Sequence, residues 1–372
     1  VATPNGLPAL FNGELLNVDL GYTIAVGENL CDAIAAFVRR RGARSVILSD
    51  ASSHVRAIAG RIAAAIGAAP VLAFRLGEPR KRLSTVERVL DAMLAAGVER
   101  GTLVLGVGGG VASDLFGFAA ATCMRGVAYA HVATTLVAMV DAAIGGKTGV
   151  NLRGGKNLAG CFRDPVGVFC DVSALRTLPD PALREGLAEV VKAAIIEGGE
   201  FFENLEALSP HPFAQWPWSD VIAAAIKVKT AAVADDRLEA GARALLNLGH
   251  TFAHAIERAS AYRITHGAAV AVGLRAAGLL ALQTGRFSER EHLRVLALLT
   301  LLRLPLQTSL ESAAILAAMR SDKKRRDNRL HFVLPRAIGD VEYGVDCSDR
   351  SVRAVLTRLR RPPERPRSRR HH

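Results

Sequence analysis

The sequence predicts two domains, an α/β half followed by a nearly all-helical half. Residues 20–175 alternate short apolar runs with segments of helical period, the pattern of parallel strands joined by covering helices. From residue 180 to about 320 almost every segment carries the helical period alone. A chain of 372 residues is long enough for two separate cores. We therefore expect an α/β domain over 1–178, a helical domain over 179–350 and a basic tail over 351–372.

In the first half, residues 45–50 (SVILSD) read as a buried strand ending in a polar turn. Residues 71–74, 102–107 and 128–132 read as further strands, with helices over 29–40 and 85–96 between them. The character changes after Thr177-Leu178-Pro179. Asp180 is a good helix cap and Pro181 suits a first helical position. Residues 329–345 read as a small strand or hairpin, and no internal repeat is visible.

Bulk properties exclude several classes. Half of the residues are hydrophobic and 22% are charged, which is ordinary for a globular protein. No unbroken apolar run reaches the length of a membrane span. The first residues show no basic segment followed by an apolar core, so no secretory signal is read there. Five cysteines (Cys31, Cys123, Cys161, Cys170 and Cys347), with no CxxC spacing, read as reduced thiols of a cytoplasmic protein. The net charge of +12 would suit nucleic acid, but seven of the arginines lie in the last fifteen residues. That tail reads as disordered, and a nucleic-acid role is disfavoured. The remaining body is modestly basic, which suits a small anionic substrate.

Three segments carry chemistry. The strand at 102–107 runs into Gly108-Gly109-Gly110-Val111-Ala112-Ser113-Asp114. A glycine-rich turn between a strand and a helix lets backbone N–H groups approach a pyrophosphate. Ser113 stands where a third glycine would be, so a plain tight turn explains it as well. Next come Asp141, Gly145-Gly146-Lys147-Thr148 and Gly154-Gly155-Lys156-Asn157. Two lysines behind Gly-Gly pairs suggest anion binding, but Asp141 occupies the first glycine of a P-loop and disfavours a triphosphatase. The third segment begins with Glu189 and Lys192, three apart on a helix, where a surface ion pair is the plain alternative. Lys229, Glu239, Arg243 and Asn247 follow, then His250, His254 and His266. Glu189 with two of these histidines would make a three-ligand N/O metal site with an open position. Spacing favours His250 and His254, at i and i+4, without settling which two bind.

Together these segments resemble the dehydroquinate synthase family, within the sugar-phosphate cyclases. The matching stretches are GGGVASDLFGFAAATCMRG, TTLVAMVDAAIGGKTGVN, GGKNLAGCF, LREGLAEVVKAAI, ALLNLGHTFAHAIE, HGAAVAVGL and SDKK followed by LPRAIG, covering about residues 15–345. The resemblance implies an N-terminal α/β domain that binds NAD and a C-terminal helical domain that holds a divalent metal, zinc with cobalt as the alternative. It implies Glu189, His250 and His266 as metal ligands, with His254 facing substrate. It implies NAD contacts from Asp50, Glu78, Lys81, Gly110, Val111, Ala112, Ser113, Asp114, Thr134, Thr135, Lys147, Lys156, Ala174, Leu175, Arg176 and Thr177. It implies substrate contacts from Asp141, Lys147, Asn157, Lys192, Lys229, Arg243, Asn247 and His254. Lys324, rather than its neighbour Lys323, would be one more phosphate ligand, and Arg125 would reach the other subunit of a homodimer.

The implied reaction converts 3-deoxy-D-arabino-heptulosonate 7-phosphate to 3-dehydroquinate and phosphate. It proceeds by transient oxidation, phosphate elimination, reduction and intramolecular aldol closure. The enzyme would be a cytoplasmic lyase of the shikimate pathway, which leads to chorismate and the aromatic amino acids. The substrate is anionic at both ends, so a planar guanidinium for its carboxylate and ammonium groups for its phosphate make physical sense. The sequence departs from the family pattern at Ser113, Ala133 and Ala268, and none of these changes removes an implied metal ligand or anion-binding residue. Other sugar-phosphate cyclases, making an inosose or a valiolone, are the nearest rival; Lys147, Arg243 and Asn247 favour the carboxylate-bearing substrate. A metal-dependent polyol dehydrogenase is a further alternative.

Overall fold

The structure is a computed structural model that describes residues 20–237, 241–323 and 330–361. The chain divides into two compact units, Val1–Ala193 with His211–Arg243, and Ala194–Pro210 with Ala244–His372.

The first unit is built on a six-stranded parallel sheet. Its early elements are β1 (Thr23–Gly27), α1 (Cys31–Arg41), β2 (Ser45–Asp50), α2 (Ser53–Ile66), β3 (Val71–Phe74) and α3 (Leu83–Ala95). Then come β4 (Leu103–Gly108), α4 (Gly110–Thr122), β5 (Ala128–Ala133), β6 (Lys147–Leu152), β7 (Gly155–Phe162) and β8 (Gly167–Asp171). The strand order is β1-β8-β5-β4-β2-β3, and β6 and β7 form a separate antiparallel ribbon. The four expected strands are β2 to β5. β1 and β8 were not expected, because five-residue runs such as GVFCD carry no period of their own. Strands β2, β4, β5 and β8 are almost wholly buried, as in a parallel sheet covered on both faces. Val46, Leu48, Val89, Met93, Val104, Leu115, Phe116 and Tyr129 form one continuous core around β2, β4 and β5.

The sheet reverses direction between β2 and β4. From β2 the chain moves outward to β3, and from β4 it moves the other way to β5. The carboxyl ends of β2 and β4 therefore flank a topological switch point, where open α/β sheets leave a crevice.

Helix α5 (Asp180–Glu197) begins where Asp180 and Pro181 forecast it. It is followed by α6 (Gly199–Leu208), α7 (Trp218–Asp235), α8 (His250–Ala259), α9 (His266–Gln283), α10 (Glu289–Leu301) and α11 (Ser312–Lys323). The strands β9 (His331–Ala337) and β10 (Asp340–Asp346) pair as the antiparallel hairpin foreseen near 329–345. The helix α12 (Asp349–Leu359) ends the described chain.

Two expectations are corrected here. The compact units do not divide at 178: most of α5 and all of α7 belong to the first unit, where α7 packs against β1 and the turn after β5. The tail does not begin at 351 either. Ser348 Oγ accepts from Ser351 N at 3.1 Å, and Val352, Val355, Leu356 and Leu359 are buried, so a capped amphipathic helix occupies this stretch. Residues 362–372 lie outside the described residues.

In the second unit α9 is the central helix. It is long and apolar enough, by length and composition, to cross a membrane, and most of it is buried within the unit. Arg275 interrupts its apolar run and donates to Leu306 O at 2.5 Å. Where α8 begins, the two helices approach backbone to backbone. A Cβ on Gly273 would lie 2.2 Å from Gly249 O, and Gly249 itself has φ 77°.

Two glycine substitutions should therefore have opposite signs. Gly273→Ala forces α8 and α9 apart and should cost about 1–3 kcal/mol in urea unfolding. Gly60→Ala, in exposed helical space with nothing within 4 Å, should stabilise by about 0.5–1 kcal/mol. Equal effects at the two positions would contradict this packing.

Candidate active site

At the switch point, Asp50 closes β2 and accepts from Ser52 N at 2.8 Å. Across from it β4 passes through Gly108 and Gly109 into α4, with Gly110, Val111, Ala112, Ser113 and Asp114 in its first turns. Glycine is needed here for close packing: a Cβ on Gly108 would meet Ala112 Cβ at 2.5 Å, and one on Gly109 would meet Thr135 Cγ2 at 2.9 Å. Ser113 Oγ lies 3.4 Å from Gly109 O, so the serine is absorbed by the helix and the turn survives. Thr134 N donates to Gly108 O at 3.0 Å, while Thr134 Oγ1 is buried with no hydrogen-bond partner among the described residues. Thr135 Oγ1 accepts from Ala138 N at 3.3 Å.

Lys81 lies in the same unit and is 4% exposed. Its ammonium donates to Asp114 and, at 2.5 Å, to Asn157 Oδ1, joining α4 to the β6–β7 ribbon. Burial pushes the Asp114 carboxyl above its ordinary value, and Lys81 opposes that. Asn157 takes a left-handed φ of 53°, its N–H held by Asn151 Oδ1 at 2.9 Å. Asn151 also donates to Glu78 Oε1 at 2.8 Å, and Lys156 Nζ is 3.5 Å from that oxygen. Asn151, which sequence reasoning missed, thus links Glu78 to Asn157. Ala174, Leu175, Arg176 and Thr177 form a 3-10 turn after β8; Arg176 Nη2 donates to both carboxylate oxygens of Glu28, and Thr177 Oγ1 donates to Ala174 O.

A second group of charges lies deeper in the first unit. Asp141 sits on the π-helical turn Ala138–Ala142 and pairs with Lys229 of α7, whose ammonium also donates to Asp141 O at 2.7 Å. Midway along α5, Glu189 pairs with Lys192, and both are buried, so this is no surface ion pair. Around them Leu187, Ala188, Val190 and Val191 are buried as well. Burial works against the Asp141 anion, but the Lys229 ammonium outweighs it and, with Lys192 opposing Glu189, holds the carboxyl at about 2. Burial pushes the Lys229 ammonium below its ordinary value against the pull of Asp141. Lys192 is likewise desolvated, yet Glu189 and Asp141 hold it above the ordinary range.

Arg243 is fully buried and fixed by backbone oxygens, Nη1 on Arg237 O at 2.7 Å and Nη2 on Gly145 O at 3.1 Å. Tyr22, also missed, receives the N–H of Gly145 at 3.0 Å. Lys147 opens β6 and is exposed. Arg125 is exposed on a turn where it and Met124 both take positive φ. Lys324 lies outside the described residues.

In the second unit, Asn247 ends a 3-10 stretch just before α8, and His250 and His254 follow one turn apart on that helix. His266 is the first residue of α9. The ring of His250 lies 5.4 Å from that of His254 and 5.5 Å from that of His266, so the structure gathers all three imidazoles. His250 is buried and its Nδ1 lies 3.2 Å from Leu248 O. Glu257, on the same stripe of α8 and 2% exposed, lies 3.5 Å from His266 Nδ1. Sequence reasoning missed Glu257, although its place seven residues after His250 puts it on that stripe.

Removing one partner of the Asp141–Lys229 pair should be costly. Asp141→Asn should destabilise the protein by roughly 2–4 kcal/mol, because a buried ammonium loses its counter-charge. The folded carboxyl is held at about 2, below its ordinary 3.8. Its share of stability is therefore complete above about pH 4 and lost as pH falls towards 2. Denaturant midpoints from pH 6 to pH 2 should show that loss in the parent and not in Asp141→Asn. The same acid profile in both proteins would refute the pairing.

Comparison with known proteins identifies the family. The family model described as 3-dehydroquinate synthase N-terminal matches residues 71–185, and the C-terminal one matches residues 186–325. A 3-dehydroquinate synthase of Gloeobacter violaceus is 44% identical over 291 residues, covering 76% of this chain and 80% of its own length. Among solved structures, 2-epi-5-epi-valiolone synthase from Streptomyces hygroscopicus, with NAD+ and Zn2+ bound, superposes with a TM-score of 0.84 at 33% identity. That match covers 94% of this chain and 99% of the other. A 2-deoxy-scyllo-inosose synthase complexed with carbaglucose-6-phosphate, NAD+ and Co2+ gives a TM-score of 0.80 at 28% identity, over 91% of this chain and 97% of the other. With both parts matched in order, and the parallel sheet and helical part both present, the chain belongs to the 3-dehydroquinate synthase family.

Proposed function

We propose that this chain is a 3-dehydroquinate synthase, a carbon–oxygen lyase that converts 3-deoxy-D-arabino-heptulosonate 7-phosphate to 3-dehydroquinate and phosphate. The observation that carries this reading is the 44% identity to a 3-dehydroquinate synthase, above the 33% to the valiolone synthase. Lys147, Arg243 and Asn247, which a doubly anionic substrate calls for, are all present. The pathway implied is the shikimate route, and the five free thiols support a cytoplasmic setting.

Two groups are required besides the chain. NAD suits the crevice between β2 and β4, where Asp50, the Gly110–Asp114 turn and the buried Thr134 Oγ1 are candidate contacts. Glu78, Lys81, Thr135, Lys147, Lys156 and the Ala174–Thr177 turn are assigned to the same cofactor. Glu189, His250 and His266 each offer one ligand atom, a carboxylate–imidazole set that suits zinc, or cobalt, with an open position. Bound there, these groups supply reversible hydride transfer and acidification of a substrate hydroxyl.

The chain's own residues bind and orient. The Arg243 fork takes the substrate carboxylate, and its fixation by Gly145 O and Arg237 O sets the plane of the guanidinium. Lys147, Asn157, Asn247, His254 and Lys324 take the phosphate, and Lys192 and Lys229 hold positive charge near the reacting hydroxyls. Asp141 opposes the burial that pulls the Lys229 ammonium down. We also assign a homodimer, in which Arg125 serves the partner's site. Exposed apolar residues Met124, Leu158 and Phe162 on the first unit suit such an interface.

Phosphate release from this substrate, with catalytic NAD and with or without zinc after chelation, tests the activity. Metal-dependent release without accumulation of NADH is expected. Release only from other sugar phosphates would transfer the chain to the inosose or valiolone group, and steady NADH from a polyol would make it a dehydrogenase. The dimer is tested by mixing. Arg125→Ala and Lys192→Ala should each be nearly inactive, and subunit exchange between them should restore turnover. No recovery in mixed dimers would refute a shared site.

A further inference from the structure

We infer that Glu257 is a positioning residue for the metal site, the carboxylate that fixes the tautomer and orientation of His266. This rests on the metal reading of Glu189, His250 and His266 given above.

His250, His254 and Glu257 occupy one stripe of α8, at i, i+4 and i+7. His254 is exposed, and Glu257 is 2% exposed. Burying a carboxylate is expensive unless it meets a donor or a cation. An imidazole stands at that distance: Glu257 Oε2 lies 3.5 Å from His266 Nδ1. The backbone makes that meeting compulsory. The Glu257 carbonyl accepts from Tyr262 N at 2.7 Å and from Ser260 Oγ at 2.8 Å, and Ser260 Oγ in turn accepts from Ile264 N at 3.2 Å. Ala261 and Tyr262 both take positive φ. This tight turn returns the chain so that the first residue of α9 stands beside the last turn of α8.

The two histidines are then oriented alike. His250 Nδ1 faces Leu248 O, and His266 Nδ1 faces the Glu257 carboxylate. An Nδ1–H donated to that oxygen on each ring would present Nε2 as the ligand atom for a metal. The carboxylate would also make the His266 imidazole a stronger donor to a metal.

The test measures metal affinity by competition with a chromophoric chelator, and the visible spectrum of the cobalt-loaded protein. The proteins are wild type, Glu257→Gln, Glu257→Asp and Glu189→Ala, each also melted in metal-free form. Glu257→Gln should bind about 10–100-fold more weakly and shift the cobalt bands, while its metal-free melting temperature stays close to that of the wild type. Wild-type affinity and an unchanged spectrum in Glu257→Gln would overturn the assignment. So would a metal-free Glu257→Gln protein that is itself unfolded together with a Glu257→Asp protein of wild-type affinity, since Glu257 would then serve the fold alone. Failure of the wild type to bind metal, or full binding by Glu189→Ala, would instead sink the underlying metal reading.

Discussion

The chemistry in the first unit depends on charge held out of water. Asp141 and Lys229, and Glu189 and Lys192, are opposite charges set within an apolar frame of α5, α7 and the turn after β5. Leaving either pair half-neutralised costs a large share of a domain's net stability, because a lone ion is desolvated without compensation. Pairing holds Asp141 near 2 and Lys192 above its usual range, while burial still pulls Lys229 down. Cations kept in a low-dielectric frame act on an anionic ligand far more strongly than exposed ones would. The alanines and valines of α5 and α7 therefore set the effective strength of the lysines.

The sheet supplies a different kind of order. A parallel sheet places the carboxyl ends of its strands on one edge, and the reversal between β2 and β4 opens that edge at one place. Asp50, the Gly108–Gly110 turn and Thr134 gather there from sequence positions far apart. The glycines are required by contact: Ala112 and Thr135 leave no room for a Cβ. In the second unit, Gly249 and Gly273 let α8 and α9 touch by their backbones, which fixes where the α8 histidines start.

Much of this was legible in the sequence where local pattern carries the information. Strands β2 to β5 are apolar runs bounded by polar turns, and the start of α5 is marked by Asp180 and Pro181. The assignment of α7 to the first unit was not legible, because it rests on long-range packing against β1 and the turn after β5, where Lys229 meets Asp141, 88 residues away. The burial of Glu189 and Lys192 was hidden for a similar reason, since an i, i+3 pair looks the same on a surface. The arginines of the presumed tail masked the apolar stripe of α12. Helical spacing suggested His250 with His254 as ligands, but the structure sets His254 and His266 at nearly equal distances from His250. What separates the two is the carboxylate behind His266, a residue that spacing offered but ligand counting passed over.

Metal stoichiometry tests that choice of ligands most directly. Elemental analysis after dialysis would be made on wild type, Glu189→Gln, His250→Gln, His266→Gln and His254→Gln. We predict about one equivalent per chain in wild type and in His254→Gln, and marked loss in the other three. Retained metal in His266→Gln together with loss in His254→Gln would contradict the account.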